Sequence, residues 1–309
     1  MLLGASLAFG LAPAQSASDY WSRATADYDA DRYEAAARGF EHVAALSPRS
    51  GLAWAMLGLC EYQLRRFDAA LKHLELAHRL GLQQDARIRH VAFYHEGLLL
   101  IEAGRFEDAQ KTLDALAVEG VDSPELKDAL GRAVLRSRRE SPATAQAGKA
   151  EWLAAAQRPD AADAYARIVK QFGSEPNVHY AYGRYLLGAH RNQEAMEAFR
   201  EELRVNPKHV LARLALADTL RSSDLPAALS YARGAVRLAP EVPLAHYLLG
   251  MCLLDSHQPR EAAAELEIAG QKLPDEPRIY YALARAYSLL GRRGEARSAS
   301  DKYKQLTGK

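Results

Sequence analysis

A pattern of small and large apolar residues recurs along the chain about every 34 residues. A chain made of such copies folds as neighbour stacked on neighbour, because one short unit cannot bury its own apolar face. The clearest copy starts at Gly51, where positions 4, 7, 8, 17, 20, 24 and 27 are Trp54, Leu57, Gly58, Phe67, Ala70, Leu74 and Ala77. Copies start near Ala17, Gly51, His90, Pro142, Pro176, His209, Pro243 and Pro277.

The residue types at these positions indicate two helices in each copy. Small side chains at positions 8 and 20, such as Gly58 and Ala70, let two helices approach closely where they cross. A proline near position 32, such as Pro274, ends the second helix because it cannot continue the hydrogen-bond ladder. The chain is rich in helix formers, and alternating strand patterns are hard to find. The sequence therefore predicts an all-α fold.

The 34-residue unit with Trp, Leu-Gly, Ala and Pro at these places resembles the tetratricopeptide-repeat family. Pro243 starts a second good match, with Leu249, Gly250 and Ala262 at positions 7, 8 and 20. The resemblance covers nearly all of the chain after residue 16. It implies a right-handed α-solenoid of about eight helix-turn-helix units, whose role is to hold other proteins.

The copies are not evenly spaced, which predicts a division of the chain. Residues 17–122 form an N-terminal array of three units, and 142–309 a C-terminal array of five with a polar capping helix at its end. Between them, 123–141 is predicted to be an irregular junction with one helix, Pro124–Arg138, that lacks a partner. A short insert, Asp85–Arg89, is predicted between the second and third units. An arginine cluster in the junction is either a solvated helix face or an anion-binding patch: Arg132, Arg136, Arg138 and Arg139.

The first sixteen residues are uncharged and apolar, with small residues at Ala12, Ala14 and Ser16. This pattern predicts a secretory signal peptide, cleaved after Ala14, Ser16 or Ala17. We expect the protein to be bacterial and periplasmic or secreted; the alternative is a cytoplasmic protein with a loose N-terminus. No later stretch is apolar enough to span a membrane.

Motifs that carry chemistry are absent from the sequence. It has no H-E-x-x-H, C-x-x-C, G-x-S-x-G, phosphate-binding loop or dinucleotide fingerprint, so we predict no enzyme activity, no cofactor and no metal. The two cysteines, Cys60 and Cys252, fall at the same place in their repeats and are predicted to be core residues. The net charge of +1 gives no reason to expect nucleic acid as a partner.

Surface recognition remains, and the resemblance says where it would lie. In the family, positions 2, 5, 9, 12 and 13 of each first helix face a bound peptide. Transferred residue by residue, these positions predict a groove rich in Tyr and Arg, the types that contribute most at interfaces. The alternative is that the tyrosines pack between units and the arginines keep the surface soluble. The predicted groove residues are Asn177, Tyr180, Arg184, Arg213, Tyr247, Met251, Arg278, Tyr281 and Arg285 in the C-terminal array, with Tyr62 and Tyr94 in the N-terminal array.

These features predict a non-catalytic scaffold that binds an extended, partly acidic or apolar segment of another protein. A second hypothesis is an accessory subunit of an enzyme system for envelope assembly or polysaccharide export. A third is a glycan or small-ligand binder that uses the tyrosine row as a stacking platform.

Overall fold

The computed structural model describes residues 16–82 and 85–308, and in these it contains seventeen α-helices and no strand. The chain divides into two compact units, 1–164 and 165–309. Unit 1 holds α1 (Ala17–Asp29), α2 (Tyr33–Leu46), α3 (Gly51–Gln63), α4 (Phe67–Leu80), α5 (Ala86–Glu102), α6 (Phe106–Val118), α7 (Pro124–Val134) and α8 (Pro142–Ala155). Helix α9 (Ala161–Phe172) contains the boundary. Unit 2 holds α10 (Val178–Gly188), α11 (Asn192–Val205), α12 (Val210–Leu220), α13 (Leu225–Leu238), α14 (Pro243–Asp255), α15 (Pro259–Lys272), α16 (Pro277–Leu289) and α17 (Arg293–Thr307).

The helices pack as antiparallel neighbours in pairs, from α1 with α2 to α7 with α8 in unit 1 and from α10 with α11 to α16 with α17 in unit 2. The second helix of each pair also contacts the first helix of the next pair within its unit. The predicted all-α fold of repeated helix pairs is therefore confirmed, and each unit shows the nearest-neighbour packing of an α-solenoid.

In several pairs the two helices cross at a glycine in position 8, where an added Cβ would have no room. A Cβ added at Gly97 would lie 2.6 Å from Leu113, and one added at Gly250 would lie 2.6 Å from Leu266. At Gly183 the obstacle is the Phe199 ring, 2.5 Å away. The glycine thus accepts the large side chain at position 24 of its partner helix.

The junction prediction is corrected by α7 and α8, which form a pair of their own. Helix α7, predicted to lack a partner, crosses α8 where Gly131 and Gly148 meet. A Cβ on Gly148 would lie 1.6 Å from the carbonyl oxygen of Lys127, and one on Gly131 would lie 1.8 Å from that of Thr144. Here backbone packs directly on backbone, because no large residue fills position 24 of this pair.

The predicted insert at Asp85–Arg89 is also part of a helix. Asp85 caps α5, and its carboxylate accepts a hydrogen bond from the backbone N–H of Ile88 at 3.0 Å. The residues that follow form an additional first turn of α5, since an aspartate at this position satisfies a free N–H group of the helix start.

The structure describes the C-terminal helix in full but only the last residue of the predicted signal peptide. The predicted signal peptide lies outside the described residues except for Ser16, which caps α1 through a reciprocal pair of hydrogen bonds with Asp19. At the other end α17 carries Ala299 as its only buried residue. None of the described helices combines the length and apolarity needed to cross a bilayer.

Candidate functional site

The first helices of successive pairs lie side by side within each unit. In unit 1 these are α3, α5 and α7, and in unit 2 they are α12, α14 and α16. We call the two surfaces the first-helix faces of unit 1 and unit 2. The predicted groove residues lie on first helices, so their exposure on these faces decides which of them can meet a partner.

Asn177 and Tyr180 belong to the packing between helices, which corrects their assignment to the groove. The fully buried carboxylate of Glu202 in α11 accepts hydrogen bonds from the backbone N–H groups of Asn177 at 2.9 Å and Tyr180 at 3.2 Å. The Oδ1 atom of Asn177 lies 2.9 Å from Nε2 of His209. The Tyr180 side chain is 7% exposed, and its ring lies 4.7 Å from that of His209. Tyr180 therefore follows the alternative prediction, in which the tyrosines pack between repeat units.

Arg213 also has a structural role, because it donates a hydrogen bond from Nη2 to the carbonyl oxygen of Pro207 at 2.7 Å. The same bond recurs in two other pairs, from Trp54 to Pro48 at 3.0 Å and from His246 to Pro240 at 2.8 Å. In each case a side chain on a first helix reaches the proline six residues earlier. Arg213 therefore matches position 4 rather than the predicted position 5, since α12 begins at Val210 with His209 as its cap.

Tyr247 and Arg278 are brought together on the first-helix face of unit 2. The guanidinium of Arg278 lies 5.8 Å from the centre of the Tyr247 ring and bonds Glu276 at 2.8 Å. Burial raises the pKa of Tyr247 above its ordinary value. Met251 is half-buried in the same helix as Tyr247, whereas Arg184 is exposed on α10.

Tyr281 and Arg285 lie further along this face, at the last pair. Tyr281 is 62% exposed, and its ring lies 5.6 Å from that of Tyr303. Arg285 bonds Asp255 at 3.4 Å, and Asp255 also pairs with Arg221 at 3.2 Å. Arg278 is thus held by the cap residue of its own helix and Arg285 by a carboxylate of a neighbouring helix, which leaves the face only partly free to bind an acidic segment.

The first-helix face of unit 1 contains a cavity of about 360 Å³ that we call the anchor pocket. Its walls are mainly apolar, and the Phe67 side chain at its mouth is 46% exposed although it belongs to the first turn of α4. Exposed aromatic side chains at a preformed apolar cavity are typical of a binding site. The anchor pocket is lined by Tyr62, Phe67, Asp68, Leu71, Leu98, Leu99, Glu102, Ala103 and Arg132.

Three charged side chains line the anchor pocket. Arg132 on α7 is only 14% exposed, and its Nε atom lies 3.1 Å from the Asp128 carboxylate. Its Nη1 atom lies 3.8 Å from Glu102, which is exposed. Asp68 is exposed in the first turn of α4, where a carboxylate is favoured by the helix dipole. The pocket thus combines an apolar floor with two accessible carboxylates.

The two tyrosines predicted on this face lie beside the anchor pocket or in its wall. The Tyr62 ring lies 4.4 Å from the ring of His95, which in turn lies 5.5 Å from that of Tyr94. Tyr62 lines the cavity, whereas Tyr94 is half-buried, and burial raises its pKa. The structure therefore brings Tyr62 and Tyr94 onto one surface.

Two histidines of α4 and α5 are expected to titrate on opposite sides of the ordinary histidine pKa. Nδ1 of His78 lies 3.0 Å from the buried Glu96 carboxylate, and this hydrogen bond raises the pKa of His78. Burial lowers the pKa of His95. Protonated His78 thus stabilises the fold below its ordinary pKa, and this contribution is lost as pH rises through the raised value. Neutral His95 likewise contributes to stability above the ordinary histidine pKa, and this contribution is lost as pH falls through the lowered pKa of His95.

Proton NMR titration checks this expectation through the ring signals of both histidines. The midpoint of His78 should lie above that of His95, and Glu96→Gln should lower the His78 midpoint while leaving the His95 midpoint in place. A wild-type His78 midpoint at or below that of His95 would contradict the geometry.

Sequence reasoning missed Phe67, Asp68 and Leu71, because it placed recognition on first helices alone. These residues start the second helix of a pair and complete the pocket from the other side. Phe67 occupies repeat position 17, and an aromatic side chain at that position, next to the loop, is the signal in the sequence that points to it. Among the described residues, no group of three or more potential ligands is arranged to hold a metal ion.

Comparison with protein families identifies the repeats over most of the chain. Tetratricopeptide-repeat models match residues 22–82, 146–209 and 180–243 in one case, 219–286 in a second and 277–307 in a third. The first of these models alone covers more than half of the chain. A search of curated protein sequences finds no match.

Solved structures show the same type of fold. A MamA RS-1 double mutant is 19% identical with a TM-score of 0.50, and the match covers 54% of this chain and 96% of that one. MamA 41-end from Desulfovibrio magneticus RS-1 is 19% identical with a TM-score of 0.47, covering 55% and 95%. YrrB, described as having an unusual peptide-binding site, is 21% identical with a TM-score of 0.47, covering 53% and 86%. At such identities the likeness concerns the fold alone.

Proposed function

Because the chain belongs to the tetratricopeptide-repeat family, we propose that it is a non-catalytic scaffold that binds a segment of another protein at the anchor pocket. One observation carries this proposal: an apolar cavity on the first-helix face of unit 1 with the exposed ring of Phe67 at its mouth. The occupant is an extended segment that inserts one aliphatic or aromatic side chain.

The size and walls of the anchor pocket support an apolar anchor. Burying one large aliphatic or aromatic side chain contributes about 1.5–3 kcal/mol, and a preformed cavity avoids much of the entropy cost of ordering the site. Tyr62, Leu71 and Leu98 pack against the unit 1 core, which holds the walls in place. The charged side chains at the rim would then select the residues that flank the anchor.

The variant Phe67→Ala is expected to weaken partner binding about tenfold, because truncating an aromatic anchor at an interface typically costs over 1 kcal/mol. The partner is obtained by affinity purification with the full chain, and its affinity is measured by titration calorimetry. Helical content and melting temperature should stay near those of the wild type, since the ring is already half exposed.

Val118→Ala is the control, because Val118 is 68% exposed at the end of α6 and the substitution truncates an exposed apolar side chain outside the pocket. This control should keep wild-type affinity. Equal affinity of the Phe67→Ala and Val118→Ala variants would refute the assignment of the anchor pocket.

The unit 2 face is a second contact surface in this proposal. Tyr247, Met251 and the exposed Tyr281 offer apolar area beside Arg278 and Arg285. In the alternative, an accessory subunit of an enzyme system for envelope assembly or polysaccharide export, this face would bind a protein of that system. Substituting Tyr247 and Tyr281 by Ala in the same calorimetric assay separates this contribution from that of the anchor pocket.

Export from the cytoplasm completes the proposal, with cleavage of the signal peptide after Ala14. This position, unlike cleavage after Ser16 or Ala17, would keep Ser16 and its capping interaction with Asp19 at the start of α1. Mass spectrometry of the protein purified from its native cells measures the mature N-terminus. A chain that retains residues 1–14 would exclude cleavage and favour the cytoplasmic alternative.

A further inference from the structure

We infer that the segment held by the anchor pocket carries a Lys or Arg next to its apolar anchor. This inference rests on the proposed function and adds the charge of the partner to it. A basic segment differs from the partly acidic or apolar segment that the sequence predicts. That prediction rested on the guanidinium groups expected on unit 2, whereas the accessible charges at the anchor pocket are carboxylates.

The positive charge in the pocket wall is already neutralised by the protein. Arg132 is mostly buried, with its Nε atom 3.1 Å from Asp128 and its Nη1 atom 3.8 Å from Glu102. A mostly buried guanidinium this close to the Asp128 carboxylate has little attraction left for an acidic ligand, whereas its longer separation from Glu102 leaves that exposed carboxylate accessible. An acidic segment would gain little from Arg132.

The negative charges at the pocket are open to solvent. Within the described part of the chain, no basic group lies within 4 Å of the Asp68 carboxylate, and Asp68 is exposed. Glu102, which lines the same cavity, is exposed, and it lies 3.8 Å from Nη1 of Arg132. Because both carboxylates line the same cavity as the apolar walls, a residue that flanks an inserted side chain meets one of them.

A basic flank therefore gains an attractive contact with one of these carboxylates, whereas an acidic flank meets a like charge. Charge complementarity of this kind sets partner choice and association rate more than total affinity. The chemistry that fits the pocket is an apolar side chain followed or preceded by Lys or Arg, in an extended segment.

A phage-displayed library of random peptides tests this inference with the full-length chain as bait. Peptides are selected on the wild type, and those that bind the Phe67→Ala variant equally well are discarded. The remaining peptides depend on the anchor pocket. The inference predicts that they carry an apolar residue with Lys or Arg beside it, well above the frequency in the starting library.

Two charge variants then test the cause of the enrichment. Asp68→Asn with Glu102→Gln should weaken binding of a selected synthetic peptide about fivefold at low salt, as expected at most for one exposed ion pair, and the loss should shrink as salt is raised. Glu197→Gln with Asp275→Asn is the matched control, because it removes two exposed carboxylates from unit 2 and changes the net charge equally. This control should change the affinity less than twofold.

Pocket-dependent peptides without basic enrichment, or equal losses in the two double variants, would overturn the inference while leaving the proposed function intact. Selection that yields no peptide dependent on Phe67 would overturn the proposed function and the inference with it.

Discussion

Gly148→Ala is expected to destabilise unit 1 by about 3 kcal/mol, at the upper end of the range for overpacked sites. The added Cβ would lie 1.6 Å from the carbonyl oxygen of Lys127, and backbone cannot move aside as a flexible side chain can. Gly131→Ala meets the carbonyl oxygen of Thr144 at 1.8 Å and should act in the same direction. Relief requires α7 and α8 to separate, which exposes apolar residues that the pair buries. Thermal unfolding followed by circular dichroism measures the effect.

Gly188→Ala is the matched control for both variants. Gly188 is the last residue of α10, and a Cβ there would meet nothing within 4 Å. Alanine favours a helix over glycine by up to about 1 kcal/mol, so this variant should be as stable as the wild type or slightly more stable. Wild-type stability of Gly148→Ala would mean that α7 and α8 do not cross at these glycines.

Glu202→Ala is expected to destabilise unit 2 by about 3 kcal/mol, because it leaves several buried N–H groups without an acceptor. The Glu202 carboxylate is fully buried and accepts hydrogen bonds from the backbone of Asn177, His179 and Tyr180 at the start of α10. It replaces the capping side chain that α10 lacks, since Asn177 makes no such bond itself.

Glu201→Ala is the control from the neighbouring residue. Glu201 bonds only Arg204 on the surface, at 2.5 Å, and pairs of this type contribute about 0–1 kcal/mol. Chemical denaturation compares the two variants with the wild type. Equal midpoints for Glu202→Ala and Glu201→Ala would contradict the capping role.

The pH dependence of the Glu202 contribution has a defined sign. Burial raises the pKa of Glu202 above its ordinary value, and the backbone hydrogen bonds only partly oppose this. The folded state therefore binds the Glu202 proton more tightly than the unfolded state does. The resulting contribution to the free energy of unfolding is fully present below the ordinary glutamate pKa and is lost as pH rises through the raised pKa of Glu202. The stability advantage of the wild type over Glu202→Gln should be larger near about pH 4 than near about pH 7.

The repeat period predicts most of the fold because each apolar position recurs in a fixed place. Gly58, Gly97 and Gly250 lie at the predicted helix crossings. The pairing of α7 with α8 escaped prediction for a physical reason. In five of the other pairs a large residue at position 24 marks the second helix, whereas α8 crosses through Gly148 and offers no such signal.

The candidate site was less predictable, because exposure depends on contacts between helices. Tyr180 matches a groove position by spacing, yet α10 begins only at Val178 and the tyrosine packs against His209 of the next pair. Arg213 was misplaced because helix α12 starts one residue later than the repeat count indicated. Phe67 lies outside the family positions used for the groove and becomes part of the site only when α4 packs beside α3 and α5.

Site-specific photo-crosslinking tests the anchor pocket most directly. A benzophenone-bearing residue replaces Phe67 in one variant and Val118 in another, and each is irradiated with the partner that the wild-type chain retains. The proposal predicts crosslinks from position 67 to one short segment of the partner around an apolar residue, and few from position 118. Crosslinks from position 118 that match or exceed those from position 67 would contradict binding at the anchor pocket.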